Sequence, residues 1–207
     1  IVDVLYKLTE EEIIYRDERA SKIQVTVAAF PFEKEIKDFD FSYQPGINKQ
    51  QILDLETLRF MENKENILFV GSSGVGKTHL AISLGIAAAK KRYLTYFISC
   101  HDLIMQLKKA HAENRLEQRL KQFCKYRLLI IDEIGYLEST CPEYQNALSE
   151  LMACKHLLMV VRKQKLPFLD SLLAHQDVFV LDLDQPYGNA GCILMASGQG
   201  RRFGENK

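Results

Sequence analysis

Gly71-Ser72-Ser73-Gly74-Val75-Gly76-Lys77-Thr78 follows an apolar run at 66–70 and precedes a helix-like segment rich in Ala and Leu. The stretch fits the pattern G-x-x-x-x-G-K-[ST] at every defined position. Its glycines allow consecutive backbone N–H groups to curl around phosphate oxygens, and the following helix directs its positive end at the same anion. The alternative is an accidental glycine turn before Lys-Thr, and the flanking strand and helix argue against it.

This loop therefore predicts a site for nucleotide phosphates. We expect the Lys77 amine to contact the β- and γ-phosphates and the Thr78 hydroxyl to bind Mg²⁺. The predicted nucleotide-binding segment runs from Gly71 to His79. His79 is included as its last residue, although it is more typical of a first-turn helix residue that packs on the sheet than of a ligand.

A second acidic group is predicted where an apolar strand at 128–131 ends in Asp132-Glu133. Ligands of parallel sheets bind at the carboxyl ends of the strands. Asp132 would hold Mg²⁺, directly or through water, and Glu133 would act as general base on the attacking water. The alternative is a strand that ends in a solvated acidic turn. An Asp-Glu pair favours hydrolysis over phosphoryl transfer to a small acceptor. Lys77 and Glu133 are therefore the predicted catalytic residues.

Helix-like segments alternate with short apolar strands, which predicts an α/β fold with a parallel sheet flanked by helices. We expect helices at 49–62, 77–92 and 101–126 (one or two), with Asn48 as a cap, and strands at 67–70, 93–99 and 127–131. Residues 1–30 have helical periodicity with a Thr9/Glu12 capping box, and become β-like or mixed from 22 onward. After 136 the rhythm changes. We expect helices at 143–155 and 168–175 and strands at 156–161, 178–183 and 192–196.

Four segments are predicted from these changes. They are an N-terminal helical extension (1–45), a P-loop ATPase core (46–137), a divergent continuation (138–189) that makes the C-terminal third atypical, and a tail (190–207). The chain begins with Ile1, and we expect it to be a piece of a longer reading frame.

Composition gives no overall preference for nucleic acid, because 27 Lys and Arg balance 27 Asp and Glu. A basic stretch at 108–127 can be either a DNA-facing helix or a solvated helix face with Leu116, Leu120 and Phe123 turned inward. No apolar run approaches the length of a membrane span, so we expect no membrane partner. The cysteines suggest reduced thiols in the cytoplasm; they are scattered and odd in number (Cys100, Cys124, Cys141, Cys154 and Cys192).

Five stretches together resemble the IstB-like ATP-binding proteins, transposition helper ATPases of the AAA+ class related to DnaC-type helicase loaders. The matching text covers about residues 1–137 and lies at 39–49, 66–81, 101–103, 108–112 and 128–137. The resemblance implies an AAA+-like P-loop NTPase that uses ATP and Mg²⁺, oligomerises with itself on DNA and assists a transposase in the cytoplasm. It carries the nucleotide and catalytic roles onto Lys77, Thr78, Asp132 and Glu133, and adenine contact onto 44–48.

The last third departs from that family. Where the family has a strand ending in a polar sensor residue, typically Thr-Ser-Asn, the strand at 156–161 is followed by Arg162-Lys163. Where the family has an arginine, this sequence has Ser171. Residues 192–207 resemble the opening of MobA-like nucleotidyltransferases. The alternatives to an ATPase are therefore an ATP-dependent DNA-binding module with little hydrolysis, or a truncated chimera that carries the start of a nucleotidyltransferase.

Overall fold

A parallel sheet of five strands forms the centre of the protein, as seen in a computed structural model that describes residues 2–135, 142–154 and 156–184. The strands are β1 (Asn66–Gly71), β2 (Thr95–Ser99), β3 (Leu128–Ile134), β4 (Leu157–Arg162) and β5 (Val178–Asp182). Their order across the sheet is β2-β3-β4-β1-β5, with every neighbouring pair parallel. The predicted parallel α/β fold is confirmed.

Eight α-helices of the described residues surround this sheet. They are α1 (Val2–Val27), α2 (Lys49–Glu56), α3 (Arg59–Glu62), α4 (Lys77–Lys90), α5 (Cys100–Ala112), α6 (Leu116–Phe123), α7 (Pro142–Ala153) and α8 (Pro167–Leu173), with a 3-10 turn at Ile36–Asp38. None of these helices has both the length and the hydropathy of a membrane span.

Two hydrophobic layers cover the two faces of the sheet. Alternate residues of β1, such as Ile67 and Phe69, pack with Leu80 and Leu84 of α4, whereas the residues between them face the opposite layer. Side chains of a strand point alternately to the two faces, so the apolar runs predicted as buried strands supply both layers. The layer against α4 carries the functional site described below.

Asn66 fixes β4 beside β1. This residue is fully buried at the start of β1, and its Oδ1 accepts hydrogen bonds from the backbone N–H groups of His156 (3.1 Å) and Leu157 (2.9 Å). Its Nδ2 donates to the carbonyl oxygen of Met152 at 3.1 Å. The polar side chain thus pairs three backbone groups where β4 begins. Through β4 and β5, the segment predicted as a divergent continuation (138–189) lies in the same sheet as β1.

The N-terminal segment differs from the prediction. Helix α1 continues to Val27, so the β-like or mixed structure predicted from 22 onward is wrong for 22–27. Alternation of apolar residues indicates a strand when one face packs on a core, and no residue of α1 is buried. Thr9 lies inside α1 and its hydroxyl donates to the carbonyls of Leu5 and Tyr6, so the predicted capping box is wrong.

The predicted helix at 49–62 is two helices. Asn48 caps the first, as predicted, by accepting from the N–H groups of Gln50 and Gln51. The chain then breaks at Leu58, which has a left-handed backbone with φ 68° and a side chain only 2% exposed. Burial of this leucine outweighs the roughly 1–2 kcal/mol that a left-handed backbone costs.

The thiols also differ from the prediction. Cys124 and Cys154 form a disulfide with their Cα atoms 5.7 Å apart. They follow the ends of α6 and α7, and a separation of 30 residues gave no sign in the sequence that these helix ends meet. The predicted strand at 192–196 lies outside the described residues, as do Cys141 and Cys192.

Candidate nucleotide-binding site

The glycine-rich loop leaves the carboxyl end of β1 and enters α4 at Lys77. Gly74 and Gly76 have φ of 85° and 91°, a left-handed backbone that favours glycine. A Cβ added at Gly74 would meet no atom within 4 Å, so there is open space beside this exposed residue. At Gly76 a Cβ would come 2.5 Å from the ring of Phe39, so the close approach of this ring requires glycine.

The Lys77 side chain folds back onto its own loop. Its Nζ donates to the carbonyl oxygens of Gly71 (2.8 Å) and Ser72 (2.6 Å). Burial lowers the pKa of the Lys77 amine; the charges of Asp184 and Asp132 oppose this shift, and the charge of Arg162 adds to it. The amine therefore lies at the mouth of the loop, held by neutral carbonyls, where an anion can replace them as its partner.

Thr78 and Asp132 meet although 54 positions separate them. The Thr78 Oγ1 donates to the Asp132 carboxylate, whose two oxygens lie 3.0 and 3.1 Å away. Asp132 is only 6% exposed, and burial raises its pKa, with the Thr78 hydrogen bond opposing and the Glu133 charge adding to the shift. A hydroxyl and a carboxylate are oxygen donors of the kind that Mg²⁺ prefers.

Glu133 lies next to this pair at an irregularity in β3. The pairing of β3 with β4 shifts register between Ile131 and Ile134, and Glu133 has a left-handed backbone with φ 60°. Its side chain is exposed, in contrast to that of Asp132. Bulges of this kind re-aim a side chain and occur often beside active sites.

His79 lies in the first turn of α4, as expected from the sequence. Its ring packs edge-on against Phe39 (centroids 5.2 Å apart) and Phe32 (6.4 Å). We had predicted packing on the sheet instead. Burial lowers the pKa of His79, and its Nε2 is buried without a hydrogen-bond partner. Val75 is buried in the α4 layer together with Ile47, which is the one buried residue of the predicted adenine segment at 44–48.

Ser72 and Ser73 are exposed, and Ser72 has a partner that the sequence did not suggest. The carboxylate of Asp184, just beyond β5, accepts from the Ser72 N–H (2.9 Å to each oxygen) and from its Oγ (2.8 Å). The hydrogen bonds of the Ser72 N–H and Oγ lower the pKa of Asp184 against the opposing effect of burial. No local pattern marks Asp184, because its position depends on β5 lying beside β1.

The residues of this site fit a nucleoside triphosphate with Mg²⁺. The open cradle at Gly74, the Lys77 amine and the Thr78–Asp132 oxygens supply groups for phosphate and metal at one edge of the sheet. β1 and β3 are separated by β4 alone, so both sequence patterns open onto that edge. Lys77 and Thr78 belong to one helix turn, whereas Asp132 and Glu133 come from β3.

Curated relatives match the first two thirds of the chain. A Bacillus thuringiensis subsp. berliner protein named as an ATP-binding protein of insertion sequence IS232 is 62% identical over 136 residues, which cover 66% of this chain and 54% of that protein. A Geobacillus stearothermophilus protein named for insertion sequence IS5376 is 46% identical, with the same coverage. The chain thus spans about half the length of the curated relatives it matches.

Solved structures share the fold. AMPPCP-bound DnaA from Aquifex aeolicus superposes with a TM-score of 0.58 at 19% identity, over 75% of this chain and 51% of that one. A DnaI structure gives 0.53 at 16% identity, over 74% and 89%. At such identities the likeness concerns the fold alone, and it confirms the predicted AAA+-like P-loop architecture.

The resemblance of 190–207 to a nucleotidyltransferase finds no support in these comparisons, and those residues lie outside the described ranges. Residues 1–169, in contrast, match the family model described as IstB-like ATP binding protein. That match extends beyond 137, where we expected the resemblance to end. The chain therefore belongs to the family of IstB-like ATP-binding proteins.

Proposed function

We propose that the chain binds ATP with Mg²⁺ and hydrolyses it as a DNA-associated helper of a transposase. The contact between Thr78 and Asp132 carries this proposal, because it joins the end of the glycine-rich loop to the carboxyl-terminal part of β3. The family supports ATP as the nucleotide. The relatives' names, which place them in insertion sequences, support a role in transposition.

Each group at the loop has a role in this proposal. The backbone N–H groups of 74–78 and the Lys77 amine hold the phosphates, and Lys77 exchanges the carbonyls of Gly71 and Ser72 for phosphate oxygens. Thr78 and Asp132 hold Mg²⁺, which neutralises phosphate charge when bound. Glu133 accepts a proton from the attacking water, and its exposed side chain at the bulge is accessible to that water.

DNA is the proposed macromolecular ligand, with the basic stretch at 108–127 as its contact. Leu120 and Phe123 are buried, as the alternative of a solvated helix face also required. Arg115 and Lys121 pair with Glu113 and Glu117, which leaves other cations exposed for phosphates (Lys108, Lys109 and Lys125). Self-association on DNA with ATP, a transposase partner and a cytoplasmic location belong to the same proposal.

The test is phosphate release with and without duplex DNA, for the wild type and Glu133→Gln. We expect the variant to retain ATP binding and to lose about 100-fold or more in turnover, since a positioned general base contributes roughly 10²–10⁴. Unchanged turnover in Glu133→Gln would remove Glu133 from the mechanism. Absence of ATP binding in the wild type would remove the proposed function.

A DNA-binding module with little hydrolysis is the second candidate. It is favoured by the end of β4, where Arg162 and Lys163 stand in place of the family's polar sensor residue. Single-turnover measurements separate the candidates. An ATPase converts bound ATP at a rate that DNA raises, whereas the module holds ATP unchanged on the timescale of its release.

A further inference from the structure

The start of the glycine-rich loop is held by a residue from a distant part of the chain. The Asp184 carboxylate, in the turn after β5, accepts from the Ser72 N–H at 2.9 Å and from its Oγ at 2.8 Å. It also lies close to Gly71, where an added Cβ would come 3.4 Å from the Asp184 Oδ1. Asp184 lies outside residues 1–169, which match the family model. The partner of Ser72 thus comes from a part of the chain that the family match does not include.

Backbone and side-chain contacts fix Asp184 in turn. The N–H of Leu183 donates to the Val70 carbonyl at 2.8 Å, so the turn is joined to the end of β1. The Asp184 N–H donates to the Asp182 carboxylate at 3.0 Å, and the Lys163 amine lies 3.8 Å from the Asp184 carboxylate. The Asp184 side chain is only 19% exposed. A carboxylate held in this way can fix the loop with little further loss of side-chain entropy.

Ser72 is held on two sides by groups of opposite charge. The Lys77 Nζ donates to the Ser72 carbonyl at 2.6 Å, whereas Asp184 accepts from the Ser72 N–H and hydroxyl. In the proposed function, Lys77 leaves the loop carbonyls for phosphate oxygens, so Ser72 loses that contact. Asp184 has no reason to leave, because a carboxylate and a phosphate repel each other. The Asp184 contact therefore remains to hold the start of the loop when Lys77 turns to the nucleotide.

The negative charge of Asp184 also acts on Lys77. Burial lowers the pKa of the Lys77 amine, and the charge of Asp184 is the largest effect that opposes this shift. The protonated amine is the form that makes charge-assisted hydrogen bonds to phosphate. Asp184 thus favours the phosphate-binding form of Lys77, although none of the described hydrogen bonds joins the two side chains.

We propose that Asp184 is a positioning residue for nucleotide binding. Its carboxylate anchors Ser72, keeps the first turn of the glycine-rich loop in place while Lys77 exchanges its partners, and leaves the N–H groups of 74–78 ready for the phosphates. The inference rests on the proposed binding of ATP. It extends the nucleotide site to the turn after β5, which the sequence patterns at 71–78 and 128–133 do not include.

The test is equilibrium binding of a non-hydrolysable ATP analogue with Mg²⁺. Asp184→Ala removes the acceptor of the Ser72 N–H and hydroxyl, and it should weaken binding by about 10-fold, the lower end of the range for hydrogen bonds to a charged group. Asp184→Asn keeps an oxygen acceptor and should recover part of that affinity. Asp177→Ala is the matched control, because it removes an exposed carboxylate at the other end of β5, and it should bind as the wild type. Thermal unfolding without nucleotide checks that each variant is folded.

A second variant shows whether Asp184 acts through Ser72. Ser72→Ala removes the hydroxyl that donates to Asp184 and should weaken binding of the analogue by about 3-fold in the wild-type background. In the Asp184→Ala background it should cause no further loss, because the acceptor is already gone. Equal losses in both backgrounds would contradict the inference, since the two residues would then act independently.

Turnover separates positioning from catalysis. Asp184→Ala should raise the KM for ATP by about 10-fold and leave kcat within about 3-fold, because the described hydrogen bonds of its carboxylate go to Ser72 and not to Thr78, Asp132 or Glu133. A loss confined to kcat would contradict the inference.

The binding results distinguish this inference from the proposed function. If the wild type binds the analogue and Asp184→Ala binds it equally or more tightly, the inference is wrong and the proposed function stands. If Asp184→Asn recovers nothing, or if Asp177→Ala loses as much as Asp184→Ala, the effect is one of general charge and the inference is also wrong. If the wild type does not bind the analogue, both fail.

Discussion

Two helices of this molecule, α1 and α4, show how little helix length says about stability. Helix α1 has 26 residues and none of them is buried, whereas nine of the 14 residues of α4 are buried. Ten large apolar side chains of α1 are exposed, and the helix reaches α4 through polar contacts such as Ser21 to the Lys90 carbonyl. Helix α4 packs its apolar residues on the sheet. The comparison indicates that the packing that stabilises the fold lies at the sheet face covered by α4, and that the candidate site lies at the N-terminal end of the same helix.

The largest expected effect separates these helices directly. Leu84 of α4 is fully buried, and Leu8 of α1 is 56% exposed. Leu84→Ala should cost about 2 to 5 kcal/mol of unfolding free energy, through lost burial and a cavity, whereas Leu8→Ala should change it by less than about 0.5 kcal/mol. Urea unfolding of both variants measures this. Equal losses would show that α1 is stabilised by burial after all.

Asn66 tests whether polar contacts inside the sheet are as important as its apolar layers. Asn66→Leu leaves the N–H groups of His156 and Leu157 without their acceptor. We expect a loss of about 2 to 4 kcal/mol, since each unpaired buried group costs roughly 1–3 kcal/mol. Asn66→Asp keeps an acceptor but loses the donor to the Met152 carbonyl and buries a carboxylate, so it should also be less stable than the wild type. A fully stable Asn66→Leu would mean that the β-ladder alone positions β4.

Lys77→Ala tests whether the start of α4 binds the nucleotide. Lys77→Ala should weaken ATP binding by about 10- to 100-fold, because a hydrogen bond to a charged group contributes roughly 1.5–3 kcal/mol. Thermal unfolding without nucleotide should show a folded variant, since Lys77 contacts only loop carbonyls in the hydrogen bonds described. Titration with a fluorescent ATP analogue provides the affinity, and wild-type affinity in Lys77→Ala would contradict the assignment.

Asp132→Asn is expected to give the smallest change in unfolding free energy, and this change is an increase, whereas the preceding variants of the fold lose stability. Its pKa is raised by burial, so the folded state binds a proton more tightly than the unfolded state, and the ionised carboxylate destabilises the fold above that pKa. Asp132→Asn should therefore be more stable than the wild type at neutral pH. The advantage should shrink as pH falls through the window between the raised pKa and the unfolded value near 3.8. Unfolding between pH 4 and 8 tests this sign.

The sequence predicted those parts of the fold whose cause is local. The loop at 71–78 carries its glycines, lysine and threonine in one run. The continuous apolar runs of β1 and β3 are typical of strands that are buried on both faces. Asn48 predicted the start of its helix, because asparagine is a favoured N-cap residue. These elements needed no knowledge of distant residues.

Contacts between distant segments escaped prediction. The strand β4 lies between β1 and β3, although it follows both in sequence. Asn66, which looked like the edge of an apolar run, accepts from two backbone N–H groups where β4 begins. Asp184 reaches Ser72, and Cys124 reaches Cys154, through the packing of whole elements.

The Mg²⁺ dependence of ATP binding tests the central claim most directly, measured for the wild type and for Asp132→Asn with and without the ion. Mg²⁺ should strengthen ATP binding to the wild type and have much less effect on the variant, because Thr78 and Asp132 together hold the metal. An equal gain from Mg²⁺ in both proteins would contradict the account, since the metal would then be held without the Asp132 carboxylate.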